Sequence, residues 1–196
     1  MTENPKLTEK MLVFLYCLSQ IEEKININTF RRYIYLFYMT KSFFEGKEKD
    51  EVSISVEKGN VKILNFDDIL DDLQLEDFIE LKDNFIFIKE NLRDYVGKLV
   101  SNKAMLSYIY RQINPFVNLL KSYDDQFIFT IFFSEPTFTR ATQGAETEIS
   151  PMKSQLSKLL IEFKKKISND KIDDYDILSH WMDFILKNYY ETAGEN

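Results

Sequence analysis

Residues 29–44 read "TFRRYIYLFYMTKSFF", a helix-length stretch whose apolar side chains run almost all the way round. At helical spacing Phe30, Ile34, Phe37 and Phe44 make one stripe, while Tyr35, Tyr38 and Met39 occupy other faces. An amphipathic surface helix leaves about half its circumference polar. This one does not, so it is expected to lie between two layers, behind Asn28 as its cap. The head of the helix is the anomaly. Arg31 and Arg32 place positive charge in a first turn, against the helix dipole, at about a few tenths of a kcal/mol. An internal carboxylate would answer that misfit, and so would an acidic partner surface. Tyr35 and Tyr38 follow one turn on, and Arg with Tyr is the composition enriched in interface hot spots. Arg31, Arg32, Tyr35 and Tyr38 are therefore the candidate partner-binding residues, set against the commoner outcome in which the tyrosines belong to the core.

Outward from this helix the pattern stays mostly helical. Thr8 is the expected cap of a first helix running to about Glu23, with Met11, Leu12, Leu15, Leu18 and Ile21 inward. The period then changes. In "EVSISVEKGNVKIL" (51–64) Val52, Ile54 and Val56 alternate with polar residues, and Val61 and Ile63 alternate again beyond a turn. That pattern predicts a β-hairpin, with Gly59 available for a positive φ. "NFDDILDDLQLEDFIEL" (65–81) returns to helical spacing through Phe66, Ile69, Leu70 and Leu73 behind an Asn65 cap. "DNFIFIKEN" (83–91) reads as a strand with Phe85 and Phe87 on one face and Ile86 and Ile88 on the other. The order predicts a winged-helix-like lobe over 1–98, with the 51–64 hairpin as its wing.

Residues 99–196 predict a helical C-terminal part. Met105, Ile109, Ile113 and Phe116 form one stripe, with Pro115 kinking or splitting the segment. "QFIFTIFF" (126–133) fits a buried helix or a central strand, and a helix is expected. Residues 134–150, polar and containing Pro136 and Gly144, are expected to be a mobile loop. Pro151 then opens a helix, and a last helix over 175–190 buries Ile177, Leu178, Trp181 and Ile185. The fold class is mainly α with a small β-hairpin.

Composition narrows the function. With 196 residues, 44% of them hydrophobic, the chain is of globular type, and 5 Gly and 4 Pro are too few for a many-stranded sandwich. A net charge of -7 opposes general affinity for nucleic-acid phosphates or anionic membranes. Cys17 is the single cysteine, which fits a reducing compartment. The opening "MTENPKLTEK" lacks a signal-peptide pattern, and the longest apolar run, "MLVFLYCL" (11–18), is too short to cross a bilayer. A cytoplasmic protein without a membrane partner is expected.

Catalytic groupings are sparse. His180 is the only histidine, the glycines are isolated, and one Cys with one His does not make a closed zinc site. No cofactor and no enzymatic activity are expected. Asp68, Asp72 and Glu76 fall at i, i+4 and i+8, with Asp67 and Asp71 beside them. Such an array suits a divalent ion or a basic partner, but a solvated face is the commoner reading. No Lys or Arg lies between Lys62 and Lys82. Since carboxylates repel phosphate, this helix is not expected to read DNA.

The N-terminal pattern, "MLVFLYCLSQ" and "INTFRRYIYLFYMTKSFF", the hairpin with "VKI", then "FDDILDDL" and "DNFIFI", resembles the middle components of ABC three-component systems. These are prokaryotic anti-phage modules related to Lamassu systems. The resemblance spans about 8–98 and rests on hydrophobic spacing, with no catalytic motif. It implies a small, winged-helix-like, non-catalytic adaptor that binds an SMC/Rad50-like ABC ATPase and couples it to an effector, often a nuclease. A winged-helix DNA-binding regulator or antitoxin is the alternative.

Overall fold

The computed structural model describes residues 6–44, 52–57, 59–142, 146–166 and 172–194. The elements begin with α1 (Leu7–Ser19), β1 (Lys24–Asn26), α2 (Ile27–Phe44), β2 (Ile54–Glu57) and β3 (Asn60–Ile63). Next come α3 (Phe66–Leu75), β4 (Ile79–Lys82), β5 (Phe85–Ile88), α4 (Glu90–Asn102) and α5 (Ala104–Lys121). After these follow α6 (Asp125–Ser134), α7 (Pro136–Ala141), β6 (Glu146–Ile149), a 3₁₀ turn at Pro151–Lys153, α8 (Gln155–Lys166) and α9 (Asp174–Gly194). The chain is mainly helical, with two three-stranded sheets among the described residues. No described helix is long and apolar enough to cross a membrane.

Two compact units interleave along the sequence. One draws on 1–34 and 63–118, the other on 35–62 and 119–196. They do not coincide with a single division at 98/99, because α2 and α5 each contribute residues to both.

In the first unit the sheet order is β1-β5-β4, antiparallel throughout, with Ile86 opposite both Ile25 and Leu81. Asp83 and Asn84, at φ 49° and 64°, make the two-residue β4–β5 turn. Two left-handed residues match the right-handed strand twist, and Asp and Asn tolerate that conformation. Ile86 and Ile88 are buried while Phe85 and Phe87 are partly exposed, as the alternation predicts. Four buried phenylalanines make the core: Phe14 lies 6.3 Å from both Phe30 and Phe116, edge to face, and Phe30 lies 5.7 Å from Phe66. Helices α1 and α4 approach closely at Gly97, where a Cβ would sit 3.3 Å from the Tyr16 hydroxyl.

Several expected boundaries in this unit move. Helix α1 begins at Leu7, with the Lys6 amide donating to Glu9 Oε2 at 2.9 Å, so Thr8 is inside the first turn. The helix ends at Ser19, and Ile21 is exposed. The cap of α2 is Asn26, whose Oδ1 accepts from the Asn28 and Thr29 amides at 2.9 and 3.4 Å. The expected helix over 65–81 stops at Leu75. Asp77 turns left-handed at φ 59°, its amide donates to Gln74 O, and the Phe78 amide donates to Leu73 O, both at 3.0 Å. This pair of bonds closes a helix C-terminus and releases the chain into β4. Asn65, at φ 63°, makes no side-chain cap bond. Helix α4 begins at Glu90, ahead of the helical part expected from residue 99. Pro115 stays within an unbroken α5, and the break falls at extended Lys103 instead. Met105 is exposed, and the buried stripe of α5 runs Leu106, Ile109, Ile113, Phe116.

In the second unit the sheet order is β3-β2-β6. The 54–63 hairpin forms as expected, around Gly59 at φ 78°, but it pairs with β6 and not with the β1-β5-β4 sheet. Ile54 lies opposite Ile149. The stretch 134–150, expected as one loop, thus carries α7 and β6, while 143–145 lie outside the described residues. Helix α6 confirms the helical reading of 126–133, with Asp124 Oδ1 accepting from the Phe127 amide at 2.7 Å. Pro151 opens only the 3₁₀ turn, and α8 starts behind Ser154, whose Oγ accepts from the Ser157 amide. The Ser157 hydroxyl in turn donates to the Met39 carbonyl at 2.6 Å, joining α8 to the second half of α2. In α9, Ile177, Leu178 and Trp181 are buried as expected, but Met182 replaces the partly exposed Ile185.

Candidate functional site

For Arg31 the misfit at the head of α2 resolves inside the first unit. Arg31 donates to Asp67 Oδ1 at 2.7 Å and to Asn28 Oδ1 at 3.1 Å, and its guanidinium lies 4.7 Å from the Phe66 ring centre. Asp67 sits in the first turn of α3, so one carboxylate complements two helix starts. The Arg31 side chain is mostly covered, but Asp67 is largely solvated, which limits the pair's value to about 1 kcal/mol. Arg31→Ala is expected to lower stability by about 0.5–1.5 kcal/mol, the ion pair and the ring contact together. Urea denaturation measures this, and a loss above about 3 kcal/mol would mark Arg31 as a core support.

Tyr35 and Tyr38, at 0% and 1% exposure, belong to the core of the second unit and present no surface. From 33 to 41 every residue of α2 is buried, which is the all-round burial its composition implies. Tyr35 lies 5.2 Å from Phe132 and 6.4 Å from Phe138, and its hydroxyl donates to Glu135 Oε2 at 2.6 Å. Burial, with the neighbouring Glu135, pushes its phenol far above the usual range, so it remains a donor. Of the four candidates only Arg31 and Arg32 keep part of their side chains in solvent.

Glu135 escaped the reading of the sequence. It is fully buried, and its carboxylate also accepts from the Thr137 and Phe138 amides at 2.9 and 2.7 Å, capping α7. The available signal was a glutamate directly before a proline, because Pro136 is the first residue of α7.

The acidic array lies on α3 and just beyond it. Asp77 is engaged outside the helix: a hydrogen bond from Lys89 holds its carboxyl below the usual range, and Asn91 donates to it at 2.9 Å. Asp68, Asp71, Asp72 and Glu76 are exposed and form no ion pair among the described residues. Leu75 stands among them at 84% exposure. The described residues contain no group of three side chains arranged to hold a metal ion. His180 is exposed, with Nδ1 2.6 Å from the Asp176 carbonyl, and burial pushes the Cys17 thiol up to about 12, which keeps it unreactive at neutral pH.

The second unit presents two further features. Phe129 and Phe133 form an exposed pair on α6, with ring centres 4.4 Å apart, and Phe184 on α9 is 61% exposed. A cleft of about 510 Å³ opens where α7 meets the end of β6 and the 3₁₀ turn. Arg140, Glu148 and Lys153 line its rim.

No family model, curated protein or solved structure matches the chain.

Proposed function

We propose that the chain is a non-catalytic cytoplasmic adaptor that binds an SMC-like ABC ATPase and couples it to an effector, a nuclease, in a Lamassu-like anti-phage module. The observation that carries this reading is the surface of α3. In the first unit a helix, a strand, two helices and a hairpin occur in that order, with sheet order β1-β5-β4. We read this as winged-helix connectivity: α2 and α3 take the helix-turn-helix places, β4–β5 is the wing, and β2–β3 is an insertion. The helix that would enter a DNA groove is then α3. It carries Asp67, Asp68, Asp71 and Asp72 and no cation. Such a face favours a basic protein surface over a phosphate backbone. Exposed Leu75 adds an apolar anchor of the kind a protein partner covers.

Two measurements test the proposal together. Fluorescence anisotropy with duplex DNA at physiological salt is expected to show binding weaker than the roughly 10⁻⁴–10⁻⁶ M of non-specific DNA binders. Sub-micromolar affinity would replace the adaptor reading with that of a DNA-binding regulator. The neighbouring genes are expected to include a large coiled-coil ATPase, and co-expression with it is expected to yield a complex, which Asp68→Lys with Asp72→Lys weakens. Asp72→Lys should move stability by less than about 0.5 kcal/mol, and Asp68→Lys, in the first turn of α3, by up to about 1 kcal/mol. Absence of a complex with the unaltered chain would discard the adaptor.

A further inference from the structure

The cleft of the second unit plays no part in the adaptor reading, and its lining is chemically asymmetric. The buried part of the lining is apolar: Ala141, Ile149 and Pro151 are buried, and Val52 is half-buried. The rim is rich in donors. Arg140, in the last turn of α7, and Lys153, at the end of the 3₁₀ turn, are both exposed. Neither side chain has an ion pair or hydrogen-bond partner among the described residues. This contrasts with Arg31, Lys89 and Lys164, each of which meets a carboxylate. Thr137 Oγ1 accepts from the Gln155 amide at 2.9 Å, which leaves its hydroxyl proton for another acceptor. The exposed Ser150 hydroxyl lines the same cleft. Among the described lining residues one carboxylate, Glu148, stands against these.

We propose that this cleft binds a small organic anion, a carboxylate or phosphate monoester carried on an apolar aromatic or branched body. Its volume falls within the roughly 300–1,000 Å³ of sites that enclose small ligands. The buried lining covers the apolar body while Arg140 grips two oxygens of the acidic group in its planar fork and Lys153 adds a point charge. Two cations beside one carboxylate suit a ligand with a single acidic group. The same Glu148 repels a polyanion, which sets nucleic acid aside. Nothing in this site depends on the ATPase or the effector, so it stands or falls separately from the adaptor.

The test is backbone-amide NMR of the full chain titrated with indole-3-acetate and with phenyl phosphate, alongside uncharged indole. Saturable shifts are expected at the amides of 137–142 and 148–153, weakening as salt rises. Indole is expected to bind at least about tenfold more weakly, and Arg140→Gln with Lys153→Gln to weaken both anions by about tenfold or more. Both substitutions are on exposed side chains, and an unchanged thermal melt confirms that the fold is kept. Absent shifts, shifts centred elsewhere, or equal binding of indole and its acid would each overturn the proposal. The indole comparison needs no substitution, so it decides the matter even for a variant that fails to fold.

Discussion

Replacing Glu135 by alanine is expected to destabilise the chain by about 1.5–5 kcal/mol. The residue is fully buried, and its carboxylate serves the Tyr35 hydroxyl and the Thr137 and Phe138 amides. Loss of a helix cap costs about 0.5–2 kcal/mol. A buried phenol left without an acceptor adds about 1–3 kcal/mol. Tyr35→Phe removes only one bond and no cap, so its loss should be smaller, about 1.5–3 kcal/mol. The two changes touch one network, so the double variant should lose less than the sum of the single ones. Urea denaturation of the three variants measures all of this. Losses below about 1 kcal/mol for Glu135→Ala, or strict additivity, would show that the network does not hold α7 in place.

The first unit has its own weak point in Phe14. Its ring is fully buried and meets Phe30 and Phe116 edge to face, at interplanar angles of 76° and 89°. Phe14→Ala removes the apolar area and leaves a cavity that rigid neighbours fill only partly, for an expected loss of about 3–5 kcal/mol. Edge-to-face aromatic pairs contribute about 0.5–1.5 kcal/mol beyond area, so the upper part of that range is expected. Phe14→Leu keeps most of the volume and should cost about 1–1.5 kcal/mol. Circular dichroism during denaturant titration distinguishes the two. Equal losses for Ala and Leu would mean that the site collapses around any small residue and that ring packing is unimportant.

The periodicity of the sequence determined which faces are apolar. The buried helix at 29–44, the hairpin around Gly59 and the alternation of Phe85 to Ile88 all followed from it, because side-chain direction repeats with a fixed local period. The charge of α3 was equally plain, since no fold changes which residues a segment carries. What covers each face was not legible. From sequence Tyr35 is as good a candidate for an interface as for the core, because its aromatic chemistry suits both. Its acceptor, Glu135, lies 100 residues away. Arg31 finds Asp67 after 36 residues, and β2 finds β6 inside a stretch whose polar composition resembles a loop. Strand pairing and buried hydrogen bonds are satisfied by whichever segment the chain brings near. That choice depends on closing long loops at an entropic cost against burial gained elsewhere, which no local window contains. Only the tertiary structure decided it.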